Sequence, residues 1–225
     1  MLGYDCYQGA RLKTLDLAGI SQSRWKAIAK EPRRYGFHAT LRAPFRLRRG
    51  IDEKLLVHEL DAFAAARQAP PPTPLKLGSP GNFIALVPEA PSPAIDQLAA
   101  DCVEAFDQFR APLSAAEHKR RLVAGLNKRQ AKFLERYGYP YVMDEFRFHM
   151  TLTGPLSSTD RDPVLAALRK KFTRDVGDRL LAITALSIAK QNIKDARFQI
   201  LHQSPFCAVS GDKSGTSPAG SAGAL

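Results

Sequence analysis

The 225-residue chain is short of several things. Its three cysteines, Cys6, Cys102 and Cys207, are scattered and odd in number. They make neither a disulfide framework nor a zinc pattern, and they fit a reducing cytosol. No apolar run is long enough to cross a membrane, and the N-terminus lacks the apolar stretch of a signal peptide. A cytoplasmic protein with no membrane partner is therefore expected. Acidic residues number 22 against 33 Lys and Arg, which gives a net charge of +11 and a pI near 9.8. That imbalance favours anionic ligands such as nucleotides, RNA or phosphorylated metabolites, without choosing among them. Hydrophobic residues at 44% and charged residues at 24% are ordinary for a globular protein.

Histidine is also scarce, at five residues, yet two of the five occur in matching settings. Phe146–Pro155 reads FRFHMTLTGP. With a period of two, Phe146, Phe148, Met150 and Leu152 share one face, and Arg147, His149, Thr151 and Thr153 share the other. Gly36–Leu41, GFHATL, followed by Arg42, repeats the arrangement. Phe37, Ala39 and Leu41 are its apolar face; His38, Thr40 and Arg42 are its polar face. Each His-x-Thr-Leu follows a Phe and precedes a proline, Pro44 or Pro155. Both stretches are expected to be β-strands.

The remaining pattern describes an α+β chain with two strand-bearing halves rather than an alternating parallel fold. Residues 1–20 contain no convincing strand. Helices are expected over Ser21–Lys30 and Ile51–Gln68, the latter with a stripe of Leu55, Leu56, Leu60 and Phe63. Another helix starts at Pro93 behind Ser92, with Ile95, Leu98, Cys102, Val103, Phe106 and Phe109 buried. Further helices are expected from the Ser114/Glu117 capping box, over Asn127–Tyr137, and from Asp162–Pro163 to about Thr173, with Leu165 and Leu168 buried. Leu75–Leu77 and Phe83–Val87 read as a hairpin, and Leu180–Ile188 and Ala196–Leu201 as late strands. Residues 1–208 are taken as one unit, and the Gly/Ser/Ala/Pro-rich residues 209–225 as a disordered tail. His58 and His118 are expected at the surface.

An imidazole titrates near neutrality, so one neutral ring can accept a proton from water while a protonated one donates to a leaving oxygen. Two such rings flanking one phosphorus permit in-line cleavage of a phosphodiester with no metal or other cofactor. Thr40 and Thr151 lie on the same faces as their histidines and can donate to non-bridging phosphate oxygens. Arg42 and Arg147 either contact phosphate, through forked donors, or are edge charges. Tyr35, Tyr139 and Tyr141 either stack on a base or pack in the core. A metal site would want further ligands, and Asp144 and Glu145 precede the strand.

His38-Ala39-Thr40-Leu41 and His149-Met150-Thr151-Leu152 resemble the paired His-x-Thr-x signatures of the two-histidine (2H) phosphoesterase superfamily, which includes LigT-like 2′,3′-cyclic phosphodiesterases and RNA ligases. RRYGFHATLRAPFRL and YPYVMDEFRFHMTLTGPL are similar to a bacterial subgroup encoded among phosphonate-utilisation genes. The resemblance extends over roughly residues 30–208. It implies a bilobal fold in which two antiparallel sheets form a concave central cleft with helices outside. It also implies a metal-independent cyclic phosphodiesterase-like hydrolase acting on a cyclic or linear phosphodiester, of the 2′,3′-cyclic nucleotide or ribose cyclic phosphate type. His38 and His149 would be the acid and base, in either assignment, and Thr40 and Thr151 would hold the phosphate. A monomer acting on a small phosphorylated substrate or an RNA end is expected. The chain departs from the family in one respect. A strand normally precedes the first helix, and LGYDCYQGA is similar to the segment that comes after that strand, so the chain is expected to begin late. A non-catalytic nucleotide- or RNA-binding protein with the same cleft is the alternative.

Overall fold

The computed structural model describes residues 2–122, 125–193 and 196–207. In chain order the elements are β1 (Tyr4–Asp5), β2 (Ala10–Arg11), α1 (Gln22–Ile28), α2 (Lys30–Arg33), α3 (Glu53–Ala65), β3 (Thr73–Gly78), β4 (Ala85–Pro88), α4 (Pro93–Ala105), α5 (Ala115–Leu122), α6 (Lys128–Tyr137), β5 (Met150–Thr151), α7 (Ser158–Asp175), β6 (Leu180–Leu181), β7 (Ala185–Lys190) and β8 (Gln199–Pro205). The fold is α+β, and every pairing between these strands is antiparallel, with one isolated parallel bridge from Gln68 to Cys207. The expected tail at 209–225 lies outside the described residues.

Two lobes carry separate cores. The first is built on a sheet of order β5-β4-β3-β6. The β3–β4 hairpin keeps Leu77 opposite Leu86, and β4 holds β5 with Ala85 opposite Thr151. Its apolar side packs on α1 and α7 around Trp25, Ile84, Leu86, Leu152 and Leu168, with Trp25 and Ile84 fully buried. Ser21 caps α1 by accepting from the Arg24 amide, which aims Trp25 inward. Truncating a fully buried tryptophan costs about 3–5 kcal/mol, so this short helix is held mainly by one side chain. The second lobe packs the β7–β8 ribbon on α3 and one side of α4, around Leu60, Phe63, Leu98, Phe106 and Leu186. α4 serves both cores, giving Ile95 and Ala99 to the first and Leu98 and Cys102 to the second. Leu41 and Ile183 also touch both.

Local sequence accounts for much of this. The reciprocal Ser114–Glu117 bonds start α5, and an Asn127–Gln130 capping box starts α6, which Gly138 ends at φ +71°. The six residues expected to be buried from Ile95 to Phe109 are all buried. Several expectations need correction. Residues 1–20 do contain strands, the two-residue hairpin β1–β2, and Leu2, Tyr4 and Cys6 are buried beneath it. Leu55 is exposed, because the inward stripe of α3 runs through Leu56, Leu60 and Phe63. α7 starts at Ser158 rather than Asp162, because Ser157 accepts from the Asp160 amide, and Pro163 is carried inside the helix. Its buried residues are Val164 and Leu168, with Leu165 only half-buried. The last strand is displaced to 199–205, so His202 lies within it. His58 is exposed, whereas His118 is half-buried beside Glu135.

The two motif stretches are extended but barely laddered. Only Met150 and Thr151 of the second form a strand, and the first forms none. Their apolar faces are nonetheless as expected: Phe37, Ala39 and Leu41 pack on the first core, and Phe146, Phe148, Met150 and Leu152 lie within it. Alternation reports which side faces the core; it does not report whether a neighbour supplies backbone partners. Thr153 leaves the polar face. It is fully buried and its hydroxyl accepts from the Ile84 amide at 3.0 Å. The Leu152 and Thr153 amides both reach the Ile84 carbonyl, so the two-residue period breaks there.

Candidate active site

The first histidine is positioned from below by a glycine. After α2 the chain turns at Gly36, with φ +78°, and a Cβ there would lie 2.8 Å from the Cys6 sulfur. Glycine meets both the conformational and the steric demand. The turn presents the Gly36 carbonyl to His38 Nδ1 at 3.1 Å. A carbonyl only accepts, so the neutral ring carries its proton on Nδ1. Nε2 is then an acceptor, and the Thr40 hydroxyl donates to it at 2.9 Å. Burial pushes the His38 pKa below the ordinary imidazole value; the Gly36 carbonyl raises it and the charge of His149 lowers it again. That last influence comes from an imidazole 111 residues further along the chain (149 − 38).

The second histidine stands one residue before β5 and repeats the anchor. His149 Nδ1 donates to the Arg147 carbonyl at 2.7 Å, again two residues earlier in the chain. Among the described residues its Nε2 has no protein partner, and neither does the Thr151 hydroxyl. Phe83, from the β3–β4 turn, lies 5.6 Å from the ring at a 52° tilt. Both motifs thus hold Nδ1 by the carbonyl two residues earlier, which leaves Nε2 as the nitrogen not engaged by the local backbone.

The other sequence candidates are placed differently. The Arg42 guanidinium donates to the Val103 carbonyl and, at 3.0 Å, to Asp107, with its side chain only 10% exposed. It joins the first motif to the end of α4. Arg147 Nη1 folds back on the Asp144 and Phe146 carbonyls at 2.7 and 2.6 Å. Tyr35 stacks on His38, with centroids 5.1 Å apart and planes at 14°. Tyr139 is largely buried, and Tyr141 is exposed edge-on to it at 5.6 Å. Gly36, Phe83 and Phe198 were not singled out from the sequence. Gly36 had a signal in preceding Phe37-His38; Phe198, far along the chain, had none.

A further polar cluster lies elsewhere. His202 and Ser204 of β8 both bond Asp61 of α3, at 2.7 and 2.6 Å, and not each other. It is a clamp between strand and helix, not a nucleophile relay. Among the described residues no three His, Cys, Asp or Glu side chains gather as a metal-holding group, and no helix is long and apolar enough to cross a membrane.

A family model described as a protein of unknown function, DUF1045, matches residues 40–199. The chain belongs to that family. Two curated relatives, each named ribose 1,5-bisphosphate phosphokinase PhnN, are also similar. The one from Janthinobacterium sp. (strain Marseille) is 39% identical over 198 residues, which is 87% of this chain and 44% of the relative. The one from Laribacter hongkongensis (strain HLHK9) is 37% identical over 139 residues, 62% of this chain and 32% of the relative. The chain therefore spans less than half the length of the curated relatives it matches. The family match takes in Thr40, Arg42, Arg147, His149 and Thr151 and begins just after His38.

Proposed function

We propose that the chain is a two-histidine phosphoesterase that opens a cyclic phosphodiester, of the ribose cyclic phosphate or 2′,3′-cyclic nucleotide type, without a metal. The observation that carries this reading is the pair of imidazoles anchored alike through Nδ1, with the charge of His149 among the influences that lower the His38 pKa. His38, half-buried and held neutral by burial, is the base. As substrate binds, the Thr40 hydroxyl turns from Nε2 to a phosphate oxygen, and the freed Nε2 lone pair takes a proton from water as the water oxygen bonds to phosphorus. The bond from phosphorus to the ring oxygen breaks, and the more open His149 supplies the proton that the leaving oxygen takes up. The product is a phosphomonoester beside a free hydroxyl. The two rings have exchanged protonation states, which solvent resets. When His38 becomes charged, its Nε2–H turns toward Thr40 Oγ1. The Thr40 hydroxyl keeps its proton and donates it as a hydrogen bond to the phosphate oxygen on which negative charge builds. Thr151 offers a second donor from the opposite motif.

The relatives' name supports a phosphorylated ribose as the substrate class, and with it the link to phosphonate metabolism that the resemblance implies. The kinase named there belongs to chains more than twice as long as the matched region. This sequence has no Gly-Lys pair, hence no Gly-rich loop of the G-x-x-x-x-G-K type for nucleoside triphosphate. Opening a cyclic phosphate on a ribose that already bears a phosphate yields a ribose bisphosphate, the kind of molecule on which the relatives are named to act. The test is a panel of ribose and nucleoside cyclic phosphates incubated with the protein in a chelator. Ring opening that is lost in the double His38→Ala, His149→Ala variant supports the reading. Tight binding with no turnover across the panel would replace it with a non-catalytic binder.

A further inference from the structure

Tyr35 was a candidate for stacking on a substrate base, but both of its faces are taken. His38 covers one at 5.1 Å and 14°, and Phe198 covers the other at 4.6 Å and 12°. Three rings lie nearly parallel in the order Phe198, Tyr35, His38. The far ring comes from a residue 160 positions later than His38 (198 − 38), just before β8.

Phe198 is itself fixed on several sides. It is 9% exposed. Its amide donates to the Arg34 carbonyl at 2.7 Å, and its carbonyl accepts from the Tyr4 hydroxyl at 2.7 Å. Two residues on, the Ile200 amide donates to the Cys6 carbonyl at 2.7 Å, and Cys6 is the residue against which Gly36 is packed. The backbone that supplies the Gly36 carbonyl and the backbone that supplies the Phe198 ring are thus parts of one hydrogen-bonded frame. A single bond from Nδ1 to a carbonyl fixes where that nitrogen sits but leaves the ring plane free to swing about it. A flat stack fixes the plane. Together they fix the direction of the Nε2 lone pair.

We infer that Tyr35 and Phe198 are positioning residues for His38, which makes the start of the last strand a working part of the first motif's site. The inference rests on the two-imidazole reading above. His149 has no such backing, since Phe83 meets it at a tilt.

The test uses Phe198→Leu and Tyr35→Leu, which keep apolar volume and remove a ring, and Tyr35→Phe, which keeps all three rings. Each is assayed on a cyclic phosphate and followed by proton NMR of the His38 imidazole. Loss of a ring is expected to lower kcat about 10- to 100-fold with KM within about twofold, since misplacing a reacting group by about 1 Å costs on that order. Tyr35→Phe is expected to restore kcat. In Tyr35→Leu the His38 ring resonances should lose the ring-current displacement due to Tyr35, and in Phe198→Leu they should shift because Tyr35 is no longer held flat, while the thermal unfolding stays cooperative. If Tyr35→Phe is as impaired as Tyr35→Leu, or KM rises while kcat holds, Tyr35 contacts substrate and the inference is overturned. If no cyclic phosphate is turned over, the NMR readout still decides. His38 resonances in Phe198→Leu unchanged from wild type would refute positioning by Phe198, whereas resonances moved from their wild-type positions would uphold it and place the failure in the proposed chemistry.

Discussion

His38 and His149 begin from the same frame of Phe, His, x, Thr, Leu, and both donate Nδ1–H to the carbonyl two residues earlier. Their surroundings then diverge. His38 is stacked on Tyr35, bonded to Thr40 at Nε2 and held below its ordinary pKa by burial. His149 stands beside the short β5, with Nε2 free of protein partners among the described residues and a tilted Phe83 as neighbour. A repeated motif has produced two copies of a scaffold and one difference in environment. In the proposed mechanism that difference assigns the base to His38, whose pKa is lowered by burial, and leaves the acid to His149.

The comparison is broken most severely by removing either ring. His38→Ala and His149→Ala are each expected to cost about 100- to 10,000-fold in turnover of a cyclic phosphate, with the double variant little worse than the poorer single one. The acid side of the activity profile sharpens it. Because the folded pKa of His38 is lowered, the base should survive to pH values below the ordinary imidazole range, and kcat/KM should fall only there. The stability linked to the same group has a matching sign. It is fully present above the unfolded pKa of about 6.5 and is lost as pH falls through the lowered folded value. Valine in place of the two threonines separates the motifs further. Thr40→Val should lower kcat about 10- to 100-fold and shift the acid limb, because the hydroxyl touches His38 itself, whereas Thr151→Val should lower kcat and leave the limb in place. Gly36→Ala should lose about 1–2 kcal/mol in denaturant melts from its left-handed backbone alone, with added loss from the Cys6 contact. Arg42→Met should cost about 2 kcal/mol by breaking a half-buried ion pair that Arg110 partly sustains. Arg147→Ala, which frees two local carbonyls and removes a charge that acts on Asp96, should leave stability within about 0.5 kcal/mol.

Legibility in the sequence divides along the same physical line, between what a residue carries locally and what distant chain supplies. Side-chain periodicity correctly placed the apolar faces of both motifs and the larger buried side chains of α4, though not Ala99, because burial is written residue by residue. Capping chemistry located α5 and α6 closely, because a cap is a local bond. Backbone pairing was not legible. The motif stretches looked like full strands, yet four residues of the first, His38 to Leu41, find no ladder, and β5 is two residues long. The N-terminal hairpin was missed although Leu2, Tyr4 and Cys6 alternate with Gly3, Asp5 and Tyr7; a three-residue alternation is too short to stand out. In the site, the histidines and threonines were found because they repeat. The neighbours that make the two copies unequal, Phe198 above all, come from elsewhere in the chain and leave no mark near the motif.

The measurement closest to the central claim is the NMR titration of His38 in the wild-type protein and in His149→Gln. If the two rings face one gap, removing the second charge lifts a repulsion, and the His38 pKa rises. A His38 titration that is the same in both proteins would mean that the rings do not share a site, and the two-histidine mechanism would be wrong.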